Sequence, residues 1–269
     1  MTAFDPAGVR LVATDLDGTL LHTDGTVTDR TRRVIEALEA RGVLVVFVTG
    51  RPVRWMETLW PHVGDHGLAI CSNGAIVYDV AQHAVSELRP IPREVVLEVA
   101  DVVRREVPGT AFAVERADGF GKEPVFHPEG PTGPDLRVAS LEEIAGDGVA
   151  KLLARHEELD PAGFWARVEA LVGGLVTTTW SSVGALVEMS AAGVTKATTL
   201  AAVCAEHGIG PEHVLAFGDM PNDLALLEWA GRGYAMANAH GSVLAATEHH
   251  APPHDEDGVA QVLEDLFGL

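Results

Sequence analysis

The first eighty residues alternate between apolar runs and amphipathic stretches. The runs at 9–15 (VRLVATD) and 43–50 (VLVVFVTG) are nearly continuous in apolar residues, which is typical of parallel strands buried on both faces. Between them, residues 28–42 repeat apolar positions at helical spacing and stop at Gly42, which predicts a helix. A further helix is expected at WMETLWPHVG, and strands at LAICSNGA and AIVYDV. This βαβαβ pattern predicts right-handed crossovers and a parallel sheet.

The pattern changes between about residues 83 and 189. Two helices, REVVLEVADVVRREV and PAGFWARVEALV, are separated by strands that alternate more and come in adjacent pairs, which favours an antiparallel sheet with helices on one face. The strands expected there are TAFAVERA, VAKLLARHE, GLVTTTW and GALVEMS. After Gly193 the first pattern resumes. We therefore predict a doubly wound, Rossmann-like α/β core from residues 1–82 and 190–269, with an inserted α+β domain at 83–189.

Composition and charge exclude several classes of protein. The chain has 269 residues and a formal charge of −20, so its surface repels polyanions and nucleic acid is a poor partner. The longest apolar run, GVLVVFV, is far shorter than the roughly 20 residues of a membrane-spanning helix. The N-terminus lacks a basic start followed by an apolar stretch, so a cytoplasmic location is expected. Cys71 and Cys204 form no disulfide or zinc pattern and are interpreted as packing residues.

Polar residues follow several of the predicted parallel strands, where ligands gather in open α/β sheets. They are Asp15 and Asp17, Thr49-Gly50-Arg51, Lys196, and GDMPND at 218–223.

The two aspartates after the first strand require an explanation. A single strand-end aspartate is usually a turn or helix-capping residue. A calcium loop is excluded, because Leu20 and Thr26 stand where that loop requires Gly and Glu. Two carboxylates 4 Å apart repel by about 4 kcal/mol at an effective dielectric constant near 20, so a divalent cation is expected to offset them. Asp219 and Asp223 follow another strand, and this all-oxygen set suits Mg²⁺ better than zinc.

A phosphate-binding role is indicated by the remaining strand-end residues. Thr49 with the amides of Gly50 and Arg51 can form a small anion-binding nest, and Lys196 adds a point charge suited to phosphate. Each signal is weak alone, since such a glycine is usually a turn and a lone lysine is usually solvated. Their convergence on one sheet edge favours a binding site.

Four ordered motifs, DLDGTLL, VTGR, GVTK and GDMPNDLALL, resemble those of the haloacid dehalogenase superfamily of phosphohydrolases. The insertion between the second and third motifs is similar to the Cof-type subfamily with a type-two (IIB-like) cap domain. The stretches SNGA, AMANA and DEDGVA also resemble family segments. Ala197 and Ala237 stand where many members have Gly, which changes no charged participant.

The resemblance implies roles for individual residues. Asp15 is implied as the nucleophile that becomes an aspartyl phosphate, and Asp17 as the general acid/base, whose backbone carbonyl also binds the metal. Asp219 is implied as the third protein ligand of Mg²⁺, supported by Asp223. The phosphate is expected to contact Thr49, Gly50, Arg51 and Lys196, with a donor from Asn222.

We therefore predict a Mg²⁺-dependent phosphatase acting on a small phosphorylated metabolite such as a sugar phosphate. The alternatives are a sugar-phosphate mutase or phosphotransferase on the same scaffold, or a non-catalytic sensor of phosphorylated metabolites. Substrate specificity is expected in the inserted domain, where Lys122 and His127 either face the pocket or belong to an exposed Gly/Pro loop. The His/acid run at 248–258 is interpreted as a solvated loop. Neither the substrate nor the oligomeric state follows from the sequence.

Overall fold

The computed structural model describes residues 6–57, 59–60, 67–128, 130–180 and 184–269, which form two sheets flanked by helices. The strands are β1 Leu11–Thr14, β2 Leu44–Val48, β3 Leu68–Cys71, β4 Ile76–Asp79, β5 Ala84–Leu88, β6 Ala111–Arg116, β7 Gly119–Lys122, β8 Leu136–Val138, β9 Val149–Arg155, β10 Val176–Thr179, β11 Leu186–Ala191, β12 Val214–Gly218, β13 Arg232–Met236 and β14 His249–Ala251. The α-helices are α1 Asp29–Glu39, α2 Arg93–Glu106, α3 Leu141–Ile144, α4 Pro161–Val172, α5 Lys196–Glu206, α6 Leu224–Trp229, α7 Gly241–Ala246 and α8 Gly258–Phe267.

Among the described residues, the larger sheet has eight strands in the order β14-β13-β12-β1-β2-β3-β4-β5. Its strands from β14 to β3 are parallel, and β1 lies between β12 and β2, so that Leu11 pairs with both Val214 and Leu44. All four residues of β1 are buried, as expected for a strand covered on both faces. Helix α1 packs against α8, and α5 packs against α6. The predicted parallel α/β core is confirmed.

One detail of the first eighty residues differs from the prediction. Strand β4 runs antiparallel to β3, because only the four residues 72–75 connect them and a parallel crossover needs a dozen or more. The helix expected at WMETLWPHVG stays a prediction, because residues 58 and 61–64 of that stretch lie outside the described residues, and a 3-10 turn at Val53–Trp55 leads into it.

In the part of the chain that the structure describes, the smaller sheet has six strands in the order β10-β11-β9-β6-β7-β8. With α2, α3 and α4 it is called the cap below. It is antiparallel except for β7 and β8, which are parallel and are joined by the long segment 123–135. Alternate residues of its strands, including Phe112 and Leu152, pack in one apolar cluster with residues of α2 and α4. The predicted antiparallel sheet is thus found, with β7 and β8 added from the Gly/Pro-rich stretch.

The range of 83–189 for the inserted domain stays a prediction, and strand pairing bears on where its ends lie. Strand β5 lies inside that range, yet it pairs with β4 and so belongs to the larger sheet. Ile91 is the first residue bridged to the cap, through Val149 of β9. We propose that the inserted domain begins between Leu88 and Ile91 and ends after Ala191. The His/acid run interpreted as a solvated loop contains the edge strand β14.

Candidate active site

The carboxyl edge of the parallel sheet carries the predicted site residues. Asp15 directly follows β1, Thr49 follows β2 and Asp219 follows β12, so the three central parallel strands end beside one another. Lys196 is the first residue of α5, which begins after the chain leaves the cap. The topology therefore places the predicted site residues at one edge, as expected for an open α/β sheet.

A buried lysine links two of the aspartates. The Lys196 ammonium lies 3.0 Å from Asp15 Oδ1 and 2.7 Å from Asp223 Oδ1, and its side chain is only 1% exposed. Burial alone would lower the pKa of Lys196, but the two carboxylates outweigh it and raise that pKa above its ordinary value. Lys196 therefore stays charged and neutralises part of the charge on Asp15.

Three carboxylates form a cluster beside this lysine. Asp15, Asp219 and Asp223 each place one oxygen within 4.8 Å of the others. Burial raises the pKa of Asp15 well above its ordinary value, against the opposing effect of Lys196, and the neighbouring carboxylates raise it further. Burial, with Asp223, raises the pKa of Asp219 to about 7. The cluster thus carries negative charge that its protein surroundings only partly offset, and a divalent cation would offset the rest.

Both oxygens of Asp223 accept hydrogen bonds from neighbouring groups. Oδ2 accepts hydrogen bonds from the backbone N–H groups of Asp219 and Met220, each at 3.1 Å, and Oδ1 accepts from Lys196. Asp223 therefore stabilises the turn after β12 and binds Lys196. This position suits a residue that supports Asp219.

The turn after β1 brings a glycine against the carboxylate cluster. Gly18 has φ +71°, and a Cβ atom there would lie 2.3 Å from Asp219 Oδ2. The next residue, Thr19, donates its hydroxyl to Asp219 Oδ1 at 3.1 Å. Asn238 donates to the Gly18 carbonyl at 2.8 Å and fixes the other side of the turn. The glycine of DLDGT is therefore required both for its left-handed backbone and for its lack of a side chain.

Asp17 is held by Arg51 across the edge of the sheet. Arg51 Nε donates to Asp17 Oδ2 at 2.7 Å and Nη2 donates to Oδ1 at 2.5 Å, a bidentate pair. This hydrogen bonding raises the pKa of Arg51. The sequence suggested an anion-binding role for the Arg51 amide, but that N–H donates to Thr49 Oγ1 at 3.0 Å. The Arg51 side chain instead positions Asp17.

Asn222 belongs to a chain of amide hydrogen bonds with a fixed direction. Asn73 Nδ2 donates to Glu188 Oε2 at 2.7 Å, so Asn73 Oδ1 points away and accepts from Asn222 Nδ2 at 3.2 Å. One N–H donor of Asn222 is thus engaged by the core, and the second stays compatible with the predicted phosphate contact.

A cavity of about 230 Å³ lies between this edge and the cap. Its lining includes Asp15, Asp17, Gly50, Arg51, Trp55 and Asn222 from the core and Glu115, Phe126, Lys151, Leu153, Leu186 and Glu188 from the cap. Lys122 is not among the lining residues, because its ammonium donates to the Phe126 carbonyl at 2.9 Å, and His127 is exposed.

The cap residues of this wall were missed in the sequence. Glu115 and Lys151 are neighbours across β6 and β9, and Glu188 lies on β11 next to β9. The available signal was a charged residue inside an otherwise apolar strand, as in VAKLLAR. Burial raises the pKa of Glu115 to about 7, although Arg54 and Lys151 act against it.

The family is established by the sequence as a whole. Residues 12–263 match the model of the haloacid dehalogenase-like hydrolases, so the chain belongs to that family and is a hydrolase. The resemblance based on the four motifs is thereby confirmed.

Known relatives cover nearly the full length of the chain. It is 27% identical over 264 residues to 5-amino-6-(5-phospho-D-ribitylamino)uracil phosphatase YitU of Bacillus subtilis, covering 96% of this chain and 98% of that protein. It is 28% identical to pyridoxal phosphate phosphatase YbhA of Escherichia coli, covering 94% and 97% of the two chains. The fold is similar to that of the HAD subclass IIB sugar phosphatase BT4131, with a TM-score of 0.76, 21% identity and coverage of 97% and 99%.

The described residues contain no helix long and apolar enough to cross a membrane.

Proposed function

We propose that the chain is a Mg²⁺-dependent phosphatase that hydrolyses a small phosphorylated metabolite through an aspartyl-phosphate intermediate. The observation that supports this most directly is the pairing of a buried, lysine-bound carboxylate, Asp15, with the carboxylates of Asp219 and Asp223. A binding protein for a phosphate ester gains nothing from a carboxylate placed beside the anion. A carboxylate that attacks phosphorus as a nucleophile, in contrast, must lie beside the phosphate.

The residues present fit a magnesium ion. Asp15, Asp219 and the backbone carbonyl of Asp17 would hold it, with Asp223 orienting Asp219 from behind. These are hard oxygen donors, as Mg²⁺ prefers, and neither cysteine nor histidine is part of the carboxylate cluster. The ion would supply charge neutralisation between the attacking carboxylate and the phosphate.

The protein groups divide the chemistry between them. A carboxylate oxygen of Asp15 attacks phosphorus, the bond from phosphorus to the leaving oxygen breaks, and Asp17 gives its proton to that oxygen. Water then attacks the aspartyl phosphate while Asp17 takes up one of its protons, which releases inorganic phosphate and restores Asp15. Lys196 and the amide of Gly50 stabilise the charge on the phosphoryl oxygens during both steps.

The ion pair with Arg51 bears on the role of Asp17. Both oxygens of Asp17 accept hydrogen bonds from Arg51, whereas the first step needs one of them beside the leaving oxygen. Entry of the phosphate ester brings a second anion toward Arg51. One Asp17 oxygen can then turn to the leaving oxygen while Arg51 keeps its contact with the other.

The substrate is proposed to be a small phosphorylated metabolite. The cavity of about 230 Å³ lies below the usual range of about 300–1,000 Å³ for sites that take drug-sized ligands. Its cap wall combines charged groups, Lys151 and Glu188, with the apolar side chains of Phe126 and Leu153. A phosphorylated sugar or polyol, which offers hydroxyl groups and a less polar carbon face, suits this lining.

The experiment is phosphate release from p-nitrophenyl phosphate in Mg²⁺ by wild type, Asp15→Asn and Asp24→Asn. Asp15→Asn should lose activity by roughly a thousandfold or more because the amide is not nucleophilic. Asp24→Asn is the control, since Asp24 lies in an exposed turn of the same segment and bonds only to Thr26 among the described residues. Full activity of Asp15→Asn would refute the proposal. Conversion of a sugar phosphate to an isomeric phosphate without net phosphate release would favour the mutase.

A further inference from the structure

Two charged residues of the cap are buried at its contact with the core. Lys151 of β9 and Glu188 of β11 form an ion pair of 2.6 Å, and the lysine side chain is 2% exposed. The same Lys151 ammonium donates a hydrogen bond of 2.8 Å to the backbone carbonyl of Gly50 in the core. A cap lysine therefore binds the segment that follows β2.

The glutamate of this pair reaches the same segment through the side chain of Asn73. Glu188 Oε2 accepts from Asn73 Nδ2 at 2.7 Å, and the Asn73 N–H donates to the Thr49 carbonyl at 3.1 Å. Asn73 and its neighbour Ser72 both have left-handed backbones, with φ of +56° and +52°. Such backbone conformations cost free energy and persist where surrounding contacts fix them. Lys151 thus contacts Gly50 directly, and Glu188 reaches the adjacent residue Thr49 through Asn73.

That segment continues directly into the residue that holds the acid/base. Arg51 follows Gly50, its N–H donates to Thr49 Oγ1 at 3.0 Å, and its carbonyl accepts from the Ser72 N–H at 3.0 Å. Its guanidinium holds both oxygens of Asp17. The contacts run without interruption from the cap lysine through Gly50 and Arg51 to Asp17.

We propose that Lys151 is a positioning residue that places Asp17 for proton transfer by holding Gly50 and Arg51 when the cap is closed. The inference rests on the proposed phosphatase function and adds to it a coupling between cap closure and acid catalysis. A role in packing alone accounts poorly for these contacts. A buried ion pair is often no more stabilising than apolar residues of similar volume, so packing would be served equally by an uncharged side chain.

The test compares substrates whose leaving groups differ in whether they need a proton to depart. The p-nitrophenolate anion leaves without protonation, whereas the alkoxides of glycerol 3-phosphate, ribose 5-phosphate and glucose 6-phosphate require an acid. The variant is Lys151→Met, and the measured quantity is kcat/KM, which reports the steps up to phosphoryl transfer to Asp15. The ratio of kcat/KM for the best of the three alkyl phosphates to that for p-nitrophenyl phosphate should fall at least tenfold.

Two further variants separate positioning from a structural role. Lys122→Met is the matched control, because Lys122 is a cap lysine whose ammonium bonds only to carbonyls of the cap among the described residues, and its ratio should stay within twofold of wild type. Asp17→Asn should lower the ratio in the same way as Lys151→Met. Adding Lys151→Met to Asp17→Asn should lower it no further, since the lysine acts through Asp17.

The outcomes are distinct. If Lys151→Met only reduces the folded fraction of the protein, kcat/KM falls by the same factor for the alkyl phosphate and for p-nitrophenyl phosphate, and their ratio is unchanged. An unchanged ratio overturns the inference. An undiminished effect of Lys151→Met in the Asp17→Asn background overturns it as well, as does a wild type that hydrolyses p-nitrophenyl phosphate but none of the alkyl phosphates. A wild type inactive on all four esters refutes the proposed function itself.

Discussion

Replacing Lys196 by methionine tests the electrostatics of the carboxylate cluster. The substitution keeps most of the side-chain volume but removes the ammonium that lies 3.0 Å from Asp15 and 2.7 Å from Asp223. Removing one partner of a buried ion pair typically costs about 3–5 kcal/mol, because the remaining charge is left uncompensated. For a chain of this size each kcal/mol changes Tm by about 2–4 °C, so we expect Tm to fall by about 6–20 °C.

The pH dependence of this loss follows from the neighbouring carboxylates. Burial already raises the pKa of Asp15 and raises that of Asp219 to about 7, so both carboxylates gain protons as the pH falls. Less negative charge is then left uncompensated without the lysine. The difference in Tm between Lys196→Met and wild type should therefore be smaller at pH 5 than at pH 8. Millimolar Mg²⁺ at pH 8 should reduce it too, because the ion offsets the same charge.

The assay is differential scanning calorimetry of wild type, Lys196→Met and Lys122→Met with and without Mg²⁺. Lys122→Met provides the control, since its ammonium contacts carbonyl oxygens and no carboxylate among the described residues. A Tm for Lys196→Met within 1 °C of wild type at pH 8 without Mg²⁺ would show that the reasoning about uncompensated charge is wrong. An equal loss at pH 5 and pH 8 would contradict the assignment of that charge to Asp15 and Asp219.

Two further predictions concern other parts of the cavity. Burial holds the pKa of Glu115 at about 7 against an ordinary 4.5, so the folded protein binds a proton between these pH values that the unfolded chain does not, and its free energy of unfolding falls as the pH rises. At about 1.4 kcal/mol per pH unit, this shift in the Glu115 pKa amounts to about 3 kcal/mol. The free energy of unfolding of Glu115→Gln, measured with urea, should therefore rise by that amount relative to wild type between pH 4.5 and pH 7.5. A constant difference between the two proteins would contradict the shift. Gly18→Ala should lower both phosphatase activity and Mg²⁺ affinity at least tenfold, because its Cβ would lie 2.3 Å from Asp219 Oδ2. Gly25→Ala has a similar φ of +80° without neighbours within 4 Å, and equal losses in the two variants would show that backbone strain, not contact with Asp219, is responsible.

The core could be predicted from the sequence because its signals are local. Continuous apolar runs identified β1 and β2, and parallel strands must end at a common edge, so residues far apart in the chain were expected to meet there. Asp15 and Lys196, which form an ion pair of 3.0 Å, are an example. The partner of Asp17 was missed, because nothing local distinguishes an arginine that binds phosphate from one that binds a carboxylate.

The cap wall could not be predicted for a different reason. The alternation of a strand shows that Lys151 lies on the opposite face from Leu152, but not which strand or domain that face meets. Glu188 lies 37 residues further along the chain and is brought to Lys151 by the pairing of β11 with β9. Strands β7 and β8 were missed since glycine and proline dominate their surroundings, and pairing with β6 and β7 overrides that weak propensity.

The insertion of the cap between β5 and α5 affects the order in which the chain can assemble. Leu11 pairs with Val214, about 200 residues away, and with Leu44, about 30 residues away, and the longer closure costs about 1.5 kcal/mol more in chain entropy. The cap lowers this cost if it folds first. It enters at Ile91 and leaves along β11, and both border β9, so the two ends of the insertion are drawn together. A folded cap thus acts as a short connector. It allows the central strand β1 to pair with β12 as though most of the intervening chain were absent.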